Sequence, residues 1–216
     1  MRKYTRTNGI ILKRIKYKDS DKILTIYTKD LGKVSAKAKG VSKITSKKRS
    51  HLELMNLTEL YLIKTKPGYL ITQASLISSY ENIKNNLEKI NFGYFILETF
   101  DKLTEAENQN ETLFNFLVKT LEIFNNSESQ EILLILLDAY MIKALSLTGF
   151  YSNIKHQNLP DNMKKYLRFL KGNSYKDIFK PNKSYEKIVI ENSFFYLKDL
   201  IEEVTEKAVK TKVLTA

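Results

Sequence analysis

The chain has 216 residues, of which 43% are hydrophobic and 11% aromatic, enough apolar side chain to form the core of one large domain or two small ones. It contains no cysteine, which excludes disulfides, thiolate zinc sites and cysteine nucleophiles. The formal net charge is +12, and it is unevenly placed: residues 1–50 hold 16 lysines or arginines against three aspartates, whereas the other 166 residues hold 20 against 21 acidic residues.

This charge asymmetry predicts that the first part of the chain binds a polyanion, with nucleic acid as the leading interpretation and a merely solubilising charge as the alternative. Residues 1–14 alternate basic and apolar side chains, which is not the pattern of a signal peptide. The longest apolar run, Ile132–Leu137, is far shorter than the roughly 20 residues of a membrane span. We therefore expect a soluble, cytoplasmic protein.

The first eighty residues predict five strands. They are short, rich in β-branched side chains and partly alternating, with turn residues between them. Pro67-Gly68 is a strong turn signal between the last two. The predicted strands are Gly9–Ile15, Ile23–Thr28, Lys33–Lys39, Leu57–Lys64 and Tyr69–Ser78. Five short strands with a long insertion after the third suit an OB-fold barrel, although an SH3-like barrel would give a similar pattern.

From about Asn82 the hydrophobic period changes from two to nearly four, which predicts helices. Asn110 is placed to cap one of them, and Ser127 with Gln130 resembles a capping box before a helix that Gly149 ends. That helix is apolar nearly all round, so we expect it at the centre of a bundle. A last helix is predicted from about Ser184, with an apolar stripe of Ile188, Phe195, Leu200, Ile201 and Val204. The predicted fold class is α+β, with an OB-fold domain at residues 1–79 and an all-α helical bundle at residues 80–216.

The insertion between the third and fourth strands begins with a basic stretch. Residues 37–49 contain six basic residues and no acidic one. Lys37 and Lys39, two apart on a strand, share a face with Lys33. The alternative is a solvated loop whose lysines only keep the protein soluble. The residues predicted to bind DNA are Lys13, Arg14, Lys16, Lys33, Lys37, Lys39, Lys43, Lys47, Lys48 and Arg49.

Single-stranded nucleic acid also needs aromatic surfaces on which bases stack. Tyr17, Tyr27, Tyr61 and Tyr69 are candidates, and each has the alternative role of packing in the barrel.

Three stretches of the predicted barrel resemble the N-terminal signature of the RecO family of bacterial recombination mediators. They are Gly9–Leu12, Tyr17–Thr28 with its Asp19-Ser20-Asp21 turn, and Leu31–Gly40, which ends in Ala-Lys-Gly. Asp19 stands where the family usually has glutamate. In the helical part the likeness is weaker and rests on Tyr94 and Glu98, on Leu113-Phe114 and on Leu145–Phe150.

The resemblance implies an OB-fold that binds single-stranded and double-stranded DNA, and a helical domain that contacts other proteins. Members of the family anneal complementary strands and, with RecR, help RecA replace the single-strand-binding protein SSB on DNA. The helical domain of the family receives the acidic C-terminal tail of SSB in a pocket with basic residues. Those basic residues cannot be mapped here, since the helix before Tyr140 offers Asp138 and Ala139 with Lys143 nearby.

Many relatives of the family that this chain resembles carry a cysteine zinc site after the motif that corresponds to Leu145–Phe150, and this chain departs from them. Residues 151–183 contain no cysteine and a single histidine, His156, whereas a structural zinc wants four ligands. We therefore expect no metal and no cofactor. The packing of Leu159, Tyr166, Leu167, Phe169 and Leu170 is expected to hold this region together.

Catalysis is not expected. Asp19 and Asp21 might suggest a magnesium site for nuclease chemistry, but no second acidic cluster accompanies them, and a turn-capping role is the better interpretation. His51 and His156 have no nucleophile motif beside them. The alternative function that stays open is that of a generic RNA- or ribosome-associated binding protein.

Overall fold

A computed structural model describes residues 4–127, 130–153, 159–178 and 185–213. The chain forms two compact units. The barrel unit comprises the described residues up to Asn82 together with Thr104–Glu122, and the helical unit comprises Ile83–Leu103 and the described residues from Ile123 onward. The segment Thr104–Glu122 was not predicted to accompany the barrel, and the domain division at residue 79 stays a prediction.

Five strands form the barrel. They are β1 (Tyr4–Lys16), β2 (Lys22–Thr28), β3 (Gly32–Ala38), β4 (Leu57–Thr65) and β5 (Gly68–Ser78). The sheet closes in the order β1-β2-β3-β5-β4, with all pairs antiparallel except β3 with β5. This confirms the predicted five-stranded barrel. Its core consists of the inward-facing residues of the alternating strands, such as Leu24, Ile26, Val34, Ala36 and Leu60.

The insertion between β3 and β4 is tied to the barrel by apolar side chains. Val41 and Leu52 are buried within the barrel core, and Met55 is fully buried. The backbone of the insertion also bonds to β1, since Met55 N–H donates to Ile11 O (2.9 Å) and Ile11 N–H donates to Asn56 O (3.2 Å). The basic stretch therefore belongs to a segment that is packed against the barrel at several points.

A second segment, Thr104–Glu122, is bound to the start of β3. Lys33 Nζ donates to Thr104 O (2.5 Å), and Glu107 N–H donates to Lys33 O (2.9 Å). Gly32 has a φ of +66°, and a Cβ on it would lie 2.2 Å from Asn108 O. A glycine is required at this position because the backbone is left-handed and another chain segment approaches it closely.

Seven α-helices are described. They are α1 (Glu81–Lys84), α2 (Leu87–Leu103), α3 (Glu111–Asn126), α4 (Gln130–Leu147), α5 (Asp161–Gly172), α6 (Tyr175–Ile178) and α7 (Lys187–Thr205), with a short 3-10 helix at Phe150–Asn153. Asn110 caps α3 as predicted, because its Oδ1 accepts the Leu113 N–H (3.0 Å). Gly149 follows α4 with a φ of +84°. Ser127 Oγ donates back to Ile123 O (2.8 Å), so this hydroxyl bonds the preceding helix.

Helix α4 is the central helix of the helical unit, as its all-round apolar sequence predicted. Ten of the thirteen side chains from Leu133 to Leu145 are buried, and the helix packs against α2, α5 and α7. The predicted stripe of α7 is partly wrong, because Ile188 and Phe195 are 55% and 50% exposed. The buried face of α7 instead includes Val189, Ile190, Phe194, Leu197, Leu200 and Ile201. None of the described helices is long and apolar enough to cross a bilayer.

The described part of the region that lacks the zinc cysteines is held by apolar packing. In α5, Tyr166, Leu167 and Leu170 are buried, whereas Phe169 is half-buried. Tyr166 donates a hydrogen bond to Asp138 Oδ2 (2.9 Å), and burial raises the pKa of Asp138 well above its usual range. His156 lies outside the described residues.

Glu98 on α2 binds the chain that follows α7. Its carboxylate accepts the N–H of Lys210 (2.9 Å), the N–H of Thr211 (2.8 Å) and the Thr211 hydroxyl (2.6 Å), and it pairs with Lys102 Nζ (2.6 Å). Burial alone would raise the pKa of Glu98, but these hydrogen bonds outweigh burial and lower the pKa to about 2. The ionised carboxylate thus attaches the segment after α7 to α2.

We predict that Glu98→Gln destabilises the helical unit, and that the loss depends on pH. Because the folded-state pKa lies below the ordinary 4.5, the contribution of Glu98 is complete above about pH 4.5 and disappears as the pH falls through about 2. Denaturant unfolding followed by far-ultraviolet circular dichroism should show the two proteins converging between pH 5 and pH 2. Glu203→Gln, which alters an exposed carboxylate on α7, is the control, and an E98Q deficit that stays constant down to pH 2 would contradict the assignment.

Candidate nucleic-acid interface

The outer face of β3 carries a row of polar and basic side chains. Lys33, Ser35 and Lys37 alternate with the buried Val34, Ala36 and Ala38. Cross-strand pairing continues this outer face onto β2, where Ile23 lies opposite Lys37. The alternation of β3 therefore places Lys33 and Lys37 on the same outer surface of the barrel.

An open groove of about 670 Å³ follows this outer face. It lies between the β1–β2 turn, which contributes Tyr17, and the β4–β5 turn, which contributes Pro67. In OB-folds the face of strands two and three and these two turns are where oligonucleotides bind. The groove is lined by Tyr17, Ile23, Ser35, Lys37, Lys39, Ile63, Lys64, Thr65, Pro67, Tyr69 and Leu70.

Lys37 is the best-positioned cation of the groove. Its Nζ lies 4.5 Å from the centroid of the Tyr17 ring and 3.0 Å from Asp21 Oδ2. The Tyr17 side chain is 41% exposed. An exposed ring with an ammonium group over it can stack on a base while the ammonium contacts the adjoining phosphate.

The Asp19-Ser20-Asp21 turn has a structural role. Asp21 Oδ1 accepts the N–H of Gly40 (2.8 Å), and this hydrogen bond together with the Lys37 ammonium lowers the pKa of Asp21. The turn closes through Tyr17 N–H to Asp21 O (2.9 Å), and Ser42 N–H donates to Ser20 O (2.9 Å). The carboxylate thereby joins the turn that carries Tyr17 to the end of β3. Among the described residues, no group of three or more histidine or acidic side chains is placed to hold a metal ion.

Lys64 is a groove residue that the sequence interpretation missed. It is exposed at the end of β4, and its Nζ lies 5.8 Å from the centroid of the Tyr69 ring. The pairing of β3 with β5 brings Tyr69 beside Ala36 and places this turn next to the basic face. The available signal was the position of Lys64 beside the Pro67-Gly68 turn, which becomes informative once the strand order is known.

The four candidate tyrosines have different roles. Tyr27 is 1% exposed, so of its two alternative roles the structure shows packing in the barrel. It lies opposite Lys33, at the place where Thr104–Glu122 bonds to β3. Tyr69 is mostly buried in the barrel core while one part of it lines the groove. Tyr61 lies beside Arg6, with 5.8 Å from the guanidinium carbon to the ring centroid. Tyr17 is the candidate that combines exposure with a place in the groove.

The predicted basic residues are not gathered into one site. Lys37 and Lys39 line the groove, whereas Lys33 Nζ bonds the Thr104 carbonyl and Lys48 Nζ donates to Ile71 O (3.3 Å). Lys13 lies on the outer face opposite Thr25. Exposed side chains of the insertion include Lys43, Lys47 and Arg49.

Arg14 and Lys16 lie near the end of β1, at positions that alternate with those of its outer face. Arg14 pairs with the buried Leu24, and Lys16 pairs with Lys22. Arg14 forms an ion pair with Glu53 and is 13% exposed. These two residues therefore belong to the strand ends and not to the groove, because adjacent residues of a strand point to opposite faces.

The side chain of Lys143, near Tyr140 in the helical unit, is bonded to backbone carbonyls. Lys143 Nζ donates to the carbonyls of Asn173 (2.7 Å) and Lys171 (3.3 Å), at the end of α5. Asp138 is buried beside Tyr166. A contact with an acidic peptide tail stays a prediction without residues.

Two family models match the chain. Residues 1–80 match the model described as recombination protein O N terminal, and residues 84–160 match recombination protein O C terminal. Together the two matches cover more than half of the chain.

Similar curated proteins are named DNA repair protein RecO. Those of Caldicellulosiruptor saccharolyticus and Dehalococcoides mccartyi are 30% and 32% identical over 149 and 150 residues, which is 69% of this chain and 60% and 58% of the relatives. The protein of Roseiflexus is 31% identical over 65% of this chain and 49% of its own length. The chain thus matches about half to three fifths of the length of these relatives.

Proposed function

Because the chain belongs to the RecO family, we propose that it is a DNA repair and recombination protein that binds single-stranded DNA in the barrel groove. The observation that carries the proposal is the combination of Lys37, Lys39 and Lys64 with the exposed ring of Tyr17 along one groove. Lysines neutralise backbone phosphates without reading sequence, and an aromatic ring stacks on any base. Such a groove suits a protein that handles strands of arbitrary sequence.

Annealing of complementary strands is the activity that we assign to this binding. Two bare strands repel each other through their phosphates, and a basic barrel that neutralises part of this charge lets the bases meet. Binding of the lysines to phosphates releases the counterions of the DNA, which makes binding favourable and strongly dependent on salt. This mechanism is electrostatic, so it needs neither ATP nor catalytic residues.

The proposed partners follow from the family. They are single-stranded and double-stranded DNA, the C-terminal tail of SSB, RecR and, indirectly, RecA, whose loading on SSB-coated DNA the protein would assist. The helical unit is the proposed site of the protein contacts. We further propose that the protein is not an enzyme and that it acts in the cytoplasm at the nucleoid.

The test is strand annealing by the purified chain, with naked and with SSB-coated complementary oligonucleotides. We expect annealing without ATP, with a rate that falls as salt is raised. Competition between DNA and RNA oligomers of equal length distinguishes the RNA-binding alternative, which predicts preference for RNA. A nuclease and ATPase assay with magnesium tests whether the protein is instead a nucleic-acid enzyme. No acceleration of annealing at low salt would overturn the proposal.

A further inference from the structure

The insertion between β3 and β4 presents an apolar side chain to solvent. Ile44 is 91% exposed, the largest exposed fraction among the large apolar side chains that the structure describes. A single exposed apolar residue is common on protein surfaces, so its meaning depends on what holds it and what surrounds it. Because Ile44 takes no part in the barrel core, it can contact a ligand without any rearrangement of that core.

The backbone around Ile44 is held by consecutive turns. Lys43 N–H donates to Gly40 O (3.2 Å), and Ser46 N–H donates to Lys43 O (3.0 Å). Val41, three residues before Ile44, is buried in the barrel core. These bonds and this buried neighbour fix the place of Ile44 on the barrel.

Exposed cations flank the apolar side chain. We call residues 43–49 the insertion tip, in which Lys43, Lys47 and Arg49 are exposed. Residues 31–52 contain no acidic side chain. The insertion tip therefore combines three exposed cations with one exposed apolar side chain, a surface that suits a polyanion with an apolar interior.

Duplex DNA is the polyanion whose chemistry matches this surface. A single-stranded base is held by stacking on an aromatic ring, and the insertion tip contains no aromatic residue. Proteins that bend a duplex insert an aliphatic side chain such as isoleucine between two base pairs from the minor groove of the DNA, where basic side chains also bind. The residue types of the tip therefore favour a duplex over a single strand.

The insertion tip begins close to the barrel groove. Ser42 N–H donates to Ser20 O (2.9 Å), in the turn that carries Tyr17. Because consecutive Cα atoms are about 3.8 Å apart, the Cα of Ile44 lies within about 8 Å of the Cα of Ser42. A single strand in the barrel groove and a duplex on the insertion tip would thus occupy neighbouring parts of one barrel.

We propose that the insertion tip binds duplex DNA, with Ile44 inserted between two base pairs from the minor groove and Lys43, Lys47 and Arg49 on the flanking phosphates. The inference rests on the proposed function, since a duplex is the product of annealing, and it adds a place for that product beside the bound single strand. Insertion of the side chain unstacks one base step and therefore bends the duplex.

Ile44→Ser in the full chain tests the apolar contact. We expect a blunt duplex of mixed sequence to bind about 10-fold more weakly, because the aliphatic surface that would be buried between base pairs is lost. Affinity for oligo(dT) should change less than about 2-fold, because single-stranded bases stack on aromatic rings. Leu87→Ser, which removes an 83% exposed leucine of the helical unit, is the matched control and should leave both affinities unchanged. Both side chains are too exposed for their loss to disturb a core.

Bending separates an inserted side chain from a surface that is merely charged. A duplex with a donor dye at one end and an acceptor dye at the other should show more energy transfer when it is saturated with the unmodified protein. Saturation with Ile44→Ser should leave the transfer close to that of the free duplex. Lys43→Gln with Lys47→Gln should still bend the duplex at saturation, while the magnitude of its salt slope falls by about 2, at about 0.9 for each phosphate contact.

The outcomes distinguish the two proposals. Unmodified protein that binds oligo(dT) but does not bend the duplex overturns the inference and leaves the barrel groove intact, whereas failure to bind any oligonucleotide overturns the proposed function. Equal losses of duplex affinity in Ile44→Ser and Leu87→Ser would also overturn the inference. Weakened binding of oligo(dT) by Ile44→Ser, with duplex binding unchanged, would overturn it in favour of a single-strand contact.

Discussion

Replacing Lys37, Lys39 and Lys64 together by glutamine should weaken the binding of single-stranded DNA about 100-fold at about 0.1 M salt. These are the lysines that line the groove. Each phosphate contact on a single strand contributes about 0.7 to the magnitude of the slope of log K against log salt. Between 1 M and about 0.1 M salt, three contacts therefore raise the affinity by about two decades, and their loss removes this gain. The same argument predicts that the magnitude of the salt slope falls by about 2.

The measurement is a salt titration of oligonucleotide binding by the triple variant and by the unmodified chain. The matched control replaces three exposed lysines of the helical unit, Lys165, Lys176 and Lys207, by glutamine, which removes the same total charge. If the effect came from net charge alone, the control would lose as much affinity as the groove variant. An unchanged salt slope in the triple variant would show that DNA does not contact the groove.

Tyr17→Ala should lower the affinity for single-stranded DNA about 5- to 150-fold. Stacking of a base on an aromatic side chain contributes about 1 to 3 kcal/mol, and Tyr17 is the exposed ring of the groove. Tyr17→Phe keeps the ring and should retain the affinity, because stacking does not need the hydroxyl. Duplex binding should change far less, since the bases of a duplex are already stacked on one another.

Tyr4→Ala is the matched control, because Tyr4 is an exposed tyrosine of β1 that does not line the groove. Anisotropy with oligo(dT) and with a duplex of equal length measures both arms of the prediction. The assignment of Tyr17 would be wrong if its alanine variant bound both ligands as the unmodified protein does, or if Tyr4→Ala caused the same loss.

The different roles of the basic residues affect how charge variants should be designed. Replacing Lys33 or Lys48 would remove hydrogen bonds to Thr104 O or Ile71 O, and so would disturb the fold together with any DNA contact. Replacing Arg14 would leave Glu53 without its partner. Lys39 and Lys64 are exposed in the groove, so their substitution reports on the ligand more directly.

The five strands, the capped helix α3 and the central helix α4 were predictable from sequence, because each depends on local spacing. Alternation of apolar residues determines which face of a strand is buried. Asn110 caps α3 by accepting the N–H of Leu113, only three residues further along the chain. The excess of positive charge in residues 1–50 is likewise a property of composition. These features depend on neighbours in the chain, and the sequence contains them directly.

Which charged side chains share a surface was decided by tertiary structure. The pairing of β3 with β5 brings Lys64 to the groove. In the segment Thr104–Glu122, the carbonyl of Thr104 accepts a hydrogen bond from Lys33 Nζ. The insertion brings Glu53 to Arg14, and Glu98 binds a segment more than a hundred residues further along the chain. Such contacts join residues that no local period relates, so they follow from strand order and from the packing of connecting segments.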